Sequence, residues 1–285
     1  MEERNIKNVC DTVQSLEMYL TTKAQNHNYY KTYTVSNRVQ SWIAADCFYL
    51  DDGSRWNDIH DRETFNHPKS NVKRFGRCFS FSKSESVAMW MLYGGMQKSG
   101  AMLEFTKKGM RELISNTTYV ELGNWVNNEF VNVITLQAGQ FDLTLKDILY
   151  TGEFTSDTIY IRRSDEANKA APIDVIKQLQ YCVKSVAWSY ENECRLILTV
   201  DKRIIPDVIN ATSVRNPLKG LLKDKSKTRI YCSPNYRGEK SFSESKISEE
   251  VDWDLCYGCN TPPANKDNFK GADQNNHILQ PSDNL

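Results

Sequence analysis

The chain has 285 residues, and its 36 Lys and Arg residues balance 36 Asp and Glu residues, so the formal net charge is zero. This balance argues against a bulk attraction to nucleic acid or to an anionic membrane. The charged N-terminal stretch lacks the apolar core of a secretory signal, and no run approaches the roughly 18 apolar residues of a membrane span. We therefore expect a soluble, cytoplasmic protein with no membrane partner, whose eight cysteines stay reduced.

The pattern of apolar residues predicts an α+β fold with helices and short strands in alternation. In chain order, we predict a helix over 5–25, a strand at RCFSFS, and the helix SVAMWMLY, capped by Ser84 or Ser86 and stopped by Gly94-Gly95. A strand at SGAMLEF comes next. A helix at TKKGMRELIS, strands at TTYVEL and FVNVITL, a helix within 164–185, and strands after Cys194 and at KTRIYCS follow.

These elements predict one domain over residues 1–235, with a mixed, mostly antiparallel central sheet flanked by helices. Residues 236–285 are rich in Asn, Asp, Ser, Lys and Pro. Such a segment cannot bury enough apolar surface to offset its ordering entropy, so we expect a polar, partly disordered extension.

Two glutamates in the stretch VAWSYENECRLIL could form a catalytic pair. If this stretch is a strand, Glu191, Glu193 and Arg195 point to one side, because side chains at i and i+2 share a face. Two neighbouring carboxylates raise each other's proton affinity, so one can act as a base beside the other, while Arg195 holds the nearer one ionised. The alternative is a solvated strand face with a surface ion pair.

Hydroxyl groups end the predicted strand before the aromatic helix. Ser80 and Ser82 lie on one side of that strand, and Trp90 and Tyr93 lie on the helix. Hydroxyls beside a helix N-terminus can hold a phosphate or a ribose. The alternative is a capping serine followed by a helix of the aromatic core.

Two other groups of residues are weaker candidates. His60 lies between Asp58 and Asp61, which suggests a loop scaffold more than a metal site. Cys256 and Cys259 lack a second pair of ligands at comparable spacing, with only Cys232 and His277 nearby. We assign no metal site, and the sequence has no glycine-rich phosphate loop and no GxSxG or HExxH motif.

The order of WNDIHD, CFSFSKSESVAMWMLYG with GAMLEF, and KSVAWSYENECRLIL resembles the bacterial family known as domain of unknown function 2971. The resemblance spans about residues 28–235 and is strongest at Met89-Trp90, Tyr93-Gly94, Glu104-Phe105 and Trp188 through Arg195. It implies a fold more than an activity, because the family label carries none.

The serine strand, the helix and the late Glu-x-Glu are also similar, more distantly, to the Arg-Ser-Glu class of ADP-ribosyltransferases. That resemblance implies NAD as a substrate, Glu193 as the acid that stabilises the ribosyl cation, and Glu191 as the acid that activates the acceptor. The residues it implies for NAD binding are Lys31 or Arg38 for the diphosphate, Ser80 or Ser82, Trp90, Tyr93 and Arg195.

We therefore expect an ADP-ribosyltransferase-like enzyme, for instance a toxin or a phage-defence effector, with a protein or nucleic acid as acceptor. One alternative is a non-catalytic ligand-binding or regulatory module that uses the same cleft. Another is a metal-dependent nuclease or hydrolase built on Glu191, Glu193 and Asp58.

Overall fold

The structure, a computed structural model, describes residues 8–83, 86–93, 100–155, 158–161 and 169–232. It is an α+β fold with two sheets, and the predicted fold class is confirmed. The strands are β1 (Asn8–Val9), β2 (Tyr29–Val35), β3 (Cys47–Asp51), β4 (Val72–Ser80), β5 (Gly100–Thr106), β6 (Tyr119–Val126), β7 (Glu129–Gln137), β8 (Asp142–Asp147), β9 (Leu149–Thr155), β10 (Thr158–Ile161), β11 (Lys169–Pro172), β12 (Val183–Ser185), β13 (Glu193–Asp201), β14 (Ser213–Pro217) and β15 (Thr228–Cys232).

The α-helices are short and separate the strands. They are α1 (Val13–Asn26), α2 (Ser36–Ala45), α3 (Ile59–Phe65), α4 (Val87–Tyr93), α5 (Lys107–Ser115) and α6 (Ile173–Gln178). Short 3-10 helices occur at Gln180–Cys182, Val186–Glu191, Pro206–Asn210 and Leu221–Lys223. No helix within the described ranges is long and apolar enough to cross a membrane.

The larger sheet has ten strands, and all of its pairings are antiparallel. Eight of its strands pair in the order β15-β5-β2-β4-β3-β14-β6-β7. Outside this order, β13 pairs with β4 along one edge and with β8 along its other edge. The smaller sheet, in the order β1-β11-β10-β9-β12, contains parallel pairs at β1-β11 and at β9-β12. The predicted mixed, mostly antiparallel sheet is therefore confirmed.

Strand β13 shows how the larger sheet is covered on both faces. Cys194, Leu196, Leu198 and Val200 contribute to one core, together with Trp42 of α2 and Met110 of α5. Ile197 points to the opposite face, into a second core with α1, α6 and the smaller sheet. Because side chains alternate along a strand, Glu193 and Arg195 must lie on the Ile197 side.

Two predicted helices differ from the observed ones. The helix predicted over 5–25 begins only at Val13, because Thr12 caps it with a reciprocal bond to Ser15 and Asn8–Val9 form β1. The helix predicted within 164–185 is limited to Ile173–Gln178, since Lys169–Pro172 pair as β11 and the chain re-enters a strand at Val183. Sheet pairing outweighs the helical spacing of its apolar residues there.

Some predictions lie outside the described residues. They are the Ser84 cap, the Gly94-Gly95 helix stop, and the whole polar extension 236–285 with Cys256, Cys259 and His277. Ser86, the other proposed cap, does accept a hydrogen bond from the backbone N–H of Met89 at 3.3 Å.

Candidate functional site

The two glutamates and Arg195 form a buried cluster. Glu191 is 2 % exposed, Glu193 is 3 % exposed and Arg195 is fully buried. The alternative of a solvated strand face is therefore wrong. Buried charges cost several kcal/mol each unless they are paired and hydrogen-bonded, so the surrounding contacts must compensate them.

Glu191 joins the cluster by a different route from the one predicted. Strand β13 begins only at Glu193, and Glu191 ends the 3-10 helix Val186–Glu191. Between them, Asn192 adopts a left-handed conformation with φ 45° and ψ 56°, which Asn tolerates better than most residues. This kink, and not the alternation of a strand, turns the Glu191 side chain toward Glu193.

Arg195 binds three different elements. Its Nε donates to Glu193 Oε1 at 2.6 Å, one terminal nitrogen donates to Asp61 Oδ2 at 2.6 Å, and the other donates to the carbonyl oxygen of Tyr181 at 2.7 Å. Its guanidinium also lies 4.8 Å from the ring centroid of Trp56. Arg195 thus ties β13 to α3 and to the 3-10 turn at Tyr181.

Lys184, on β12, lies at the centre of three carboxylates. Its Nζ is 2.6 Å from Glu193 Oε2, 2.7 Å from Glu191 Oε2 and 3.3 Å from Asp61 Oδ2. Burial lowers the pKa of Lys184, but the charge of Glu193 outweighs this and raises it overall. The ammonium group therefore stays charged and links the two sheets.

Helix α3 supplies the third carboxylate. Asp58 caps this helix by accepting from the backbone N–H of His60 at 2.8 Å, whereas Asp61 points inward and is buried. His60 itself is exposed. The acidic partner from this region is thus Asp61, and Asp58 has the local role expected of a turn residue.

The two glutamates have opposite pKa shifts. Burial alone would raise the pKa of Glu193, but Arg195 and Lys184 outweigh it and hold this pKa well below its usual range. Burial, followed by repulsion from Glu193, raises the pKa of Glu191. Environments that separate the pKa values of neighbouring acids are typical of acid–base sites.

Helix α4 brings the side chain of Tyr93 against Glu191. The hydroxyl of Tyr93 donates to Glu191 Oε1 at 2.6 Å. Burial, and then this hydrogen bond, raise the pKa of Tyr93, so the phenol remains a donor. Trp90 is buried edge-on against Tyr33 of β2, with ring centroids 4.9 Å apart. Of the predicted aromatic wall, Tyr93 therefore contacts a carboxylate of the cluster, and Trp90 packs on β2.

The predicted serines lie next to the cluster. Ser80 on β4 pairs directly with Glu193 across the strands, and Cys78 pairs with Arg195. Ser82 accepts a hydrogen bond from the Asn192 amide at 3.0 Å, so it fixes the kink beside Glu191. Ser80 therefore borders the charged cluster, and Ser82 supports its backbone.

Three buried polar atoms at the site lack a hydrogen-bond partner among the described residues, namely Ser80 Oγ, Asp61 Oδ1 and Glu193 Oε2. The last of them is compensated by its ion pair with Lys184. A buried polar atom left without a partner costs about 1–3 kcal/mol. A bound molecule with matching polar groups would recover that cost.

The two candidate diphosphate cations lie in different places. Lys31 on β2 is buried, pairs across the strands with Ser80, donates to the carbonyl oxygen of Lys83 at 2.9 Å and lies 3.8 Å from Glu104 Oε2. Arg38 is exposed on α2, which packs on the opposite face of the larger sheet. Lys31 therefore lies on the same face of the larger sheet as the cluster, and Arg38 lies on the side of α2.

A comparison with family models locates the resemblance. Residues 89–196 match the model described as protein of unknown function, DUF2971. The matched range begins in α4 and ends just after Arg195, so it includes Tyr93, Lys184 and both glutamates. The predicted resemblance to DUF2971 is confirmed over this range. No curated protein and no solved structure gives a significant match to the chain.

Sequence reasoning missed Lys184 and assigned Asp61 no role in the site. Asp61 carried a signal, because it precedes the apolar Phe65 by one helical turn and so shares its buried face. Lys184 carried none, since a lysine beside Val183 at the end of a predicted helix would normally be solvated. Its place depends on the parallel pairing of β12 with β9.

Proposed function

We propose that the chain is an ADP-ribosyltransferase-like enzyme that uses NAD and in which Glu191 is the reacting carboxyl group. The observation that carries this proposal is the position of Glu191. It is buried between Tyr93 and Lys184 with a raised pKa, beside an ionised Glu193. A carboxyl group whose pKa is raised in this way holds a proton more readily than a free carboxylate does, which suits it to proton transfer.

The contacts favour a different division of roles from the one that the transferase resemblance implies. Both oxygens of Glu193 already lie 2.6 Å from cations, on Arg195 and Lys184. Its charge is therefore largely neutralised, and we assign it to positioning. Among the described residues, the Glu191 carboxylate contacts one cation, Lys184, and the neutral phenol of Tyr93. It therefore retains more of its capacity to bind a proton.

The reaction would break the bond between the ribose C1′ and the nicotinamide nitrogen. The bonding electron pair leaves with nicotinamide and neutralises its pyridinium charge, while a cation develops at C1′. An acceptor nucleophile then forms a bond to C1′, and its proton passes to the Glu191 carboxylate. A fixed anionic group in a water-poor site is well placed to stabilise such a cation.

The buried polar atoms support a ligand on the same face of the sheet. Ser80 Oγ lies in a row between Lys31 on β2 and Glu193 on β13, because these residues pair directly across the strands. This hydroxyl has no hydrogen-bond partner in the described ranges, so it is suited to bind a ribose or a carboxamide group. Trp90 and Tyr93 provide the apolar cover for a nicotinamide ring.

The metal-dependent alternative is less well supported, because Lys184 Nζ occupies the point where Asp61, Glu191 and Glu193 converge. One observation favours the non-catalytic alternative. Each carboxylate of the cluster forms an ion pair with Lys184 or Arg195, as in a network that only stabilises the fold. A purely structural network would look similar, so the experiment must separate folding from turnover.

The experiment measures nicotinamide release from NAD by the purified chain and by Glu191→Gln. Glu112→Gln, on α5, is the matched control because, within the described part of the chain, the Glu112 carboxylate pairs with Lys227 and not with the cluster. General acid–base groups contribute about 10²–10⁴-fold to rates. We expect at least a hundredfold loss in Glu191→Gln, wild-type release in Glu112→Gln, and cooperative unfolding in all three proteins.

Unchanged release by Glu191→Gln would refute the assigned role of Glu191. If the wild-type chain neither binds nor cleaves NAD, the interaction module becomes the better explanation. We further propose that the enzyme acts in the cytoplasm, as a toxin or phage-defence effector, on a protein or nucleic-acid acceptor. Product analysis with labelled NAD in a cell extract would identify that acceptor.

A further inference from the structure

A row of paired polar residues crosses the larger sheet on the face that carries the carboxylate cluster. Glu193 on β13 pairs with Ser80 on β4, and Ser80 pairs with Lys31 on β2. Lys31 in turn pairs with Glu104 on β5, and Glu104 pairs with Arg229 on β15. Residues that pair directly across strands carry their side chains on the same face. This polar row therefore runs from the cluster to β15, the last strand of the sheet on that side.

Glu104 is a buried acid of the polar row with an unsatisfied oxygen. The residue is 5 % exposed, and its Oε1 has no hydrogen-bond partner among the described residues. The two cations beside it are too distant for hydrogen bonds, since Lys31 Nζ lies 3.8 Å from Oε2 and Arg229 Nη1 lies 3.9 Å from Oε1. Buried polar atoms in folded proteins nearly always have a hydrogen-bond partner. Glu104 Oε1 is therefore suited to accept a hydrogen bond from a ligand.

Ser80 is a second group of this kind on the polar row. It is 1 % exposed, and its Oγ also lacks a hydrogen-bond partner in the described ranges. Because β4 and β5 lie on either side of β2, Ser80 and Glu104 are two strand spacings apart, or about 10 Å. Two separate hydrogen-bonding points on one line suit an elongated ligand with polar groups along its length, and not a single small ion.

The polar row has one closed end and one open end. Beyond Glu193, Lys184 Nζ lies between the carboxylates, and the second apolar core, which includes Ile197, covers the sheet. At the other end, the side chain of Arg229 is 46 % exposed. A ligand held at the cluster would therefore extend toward β5 and β15.

The order of groups along the row matches the parts of a dinucleotide. NAD contains two riboses joined by a diphosphate. With the nicotinamide ribose beside Ser80, the diphosphate would lie beside the cation Lys31, and the adenosine ribose would lie beside Glu104. A carboxylate accepts hydrogen bonds from ribose hydroxyls and repels a phosphate group on the same ring.

We propose that Glu104 binds the hydroxyl groups of the adenosine ribose and thereby selects NAD against NADP, which carries a phosphate on that ribose. This inference rests on the proposed function, since it places NAD along the polar row. It adds a specificity-determining residue that lies three strands away from the reacting carboxyl group.

The experiment is a calorimetric titration of the full chain with ADP-ribose and with its 2′-phosphate, which lack nicotinamide and so are not consumed. Nicotinamide mononucleotide is the third probe, because it has no adenosine ribose. We expect the wild type to bind ADP-ribose at least tenfold more tightly than the 2′-phosphate, the usual value of a hydrogen bond to a charged group.

Glu104→Gln should weaken the binding of ADP-ribose about tenfold and abolish the discrimination between the two compounds, while nicotinamide mononucleotide binds as before. The matched control is Glu121→Gln, which also changes a strand glutamate of the larger sheet that is paired with an arginine, Arg215. It should bind all three compounds like the wild type. Because Glu104→Gln removes a buried charge beside Lys31, its thermal unfolding is measured in parallel.

Equal affinity of the wild type for ADP-ribose and its 2′-phosphate would overturn the proposal, and this comparison does not depend on the folding of any variant. Discrimination that persists in a folded Glu104→Gln would overturn it as well. In either case, nicotinamide release that requires Glu191 would leave the proposed function standing. Absence of binding for all three compounds would count against both proposals.

Discussion

Replacement of Arg195 by methionine tests whether the charged cluster holds the two sheets together. Methionine keeps much of the volume but removes the contacts to Glu193, Asp61 and the Tyr181 carbonyl. Three hydrogen bonds involving a charged group would sum to about 5–9 kcal/mol if they were independent. Protonation of the released carboxylates recovers part of this, so we expect a loss of about 3–5 kcal/mol, the cost of breaking a buried pair.

The assay is urea unfolding followed by tryptophan fluorescence, with the free energy of unfolding extrapolated to water. Arg203→Met is the matched control. Arg203 also contacts an acidic residue, Asp201, but its side chain is 68 % exposed, so its removal should leave the unfolding free energy nearly unchanged. The double variant Arg195→Met/Asp61→Asn should lose less than the sum of the single losses, because the two residues share one contact.

A loss below about 1 kcal/mol for Arg195→Met would refute this reasoning, because that is the value of a surface ion pair. Additive losses in the double variant would also count against it. Either result would mean that the buried contacts of Arg195 contribute little to the fold.

Three further predictions concern the same region. The pKa of Glu191 in the folded chain is raised above its ordinary 4.5, so this group stabilises the fold fully below pH 4.5, and the stabilisation is lost as the pH rises through the folded-state pKa. Glu191→Gln should remove this pH dependence from the measured free energy of unfolding. An unchanged pH dependence in the variant would contradict the prediction. Tyr93→Phe should cost about 1 kcal/mol in urea unfolding, through loss of the hydrogen bond to Glu191, and no loss would argue against that bond. Gly76→Ala should destabilise the fold by about 1–3 kcal/mol in thermal unfolding, because a Cβ there would lie 2.7 Å from the ring of Phe65. An unchanged melting temperature would contradict this prediction, because it would mean that α3 shifts without cost to make room for the methyl group.

The sequence was most informative where the residues of one strand, β13, alternate regularly between two faces. The apolar residues of β13 on one side, with Glu193 and Arg195 on the other, follow directly from a period of two. The helix at Trp90 and Tyr93 was also predictable, because large apolar residues lie between a capping serine and a glycine pair.

The arrangement of the site was less predictable, because it depends on one backbone conformation and one distant pairing. The left-handed Asn192 places Glu191, and no local pattern distinguishes it from an ordinary strand residue. Lys184 reaches the carboxylates because β12 pairs with β9, more than 30 residues earlier in the chain. Contacts between residues far apart in sequence leave no local trace from which they can be predicted.

The contact between Asp61 and Arg195 has a consequence for folding. It joins residues separated by 134 positions, so the chain must close a long loop before the carboxylate cluster exists. Such contacts form late in proteins rich in non-local strand pairing. A partly folded chain would thus hold the sequence of the site without its geometry, and any activity of Glu191 would appear only when the whole domain has folded.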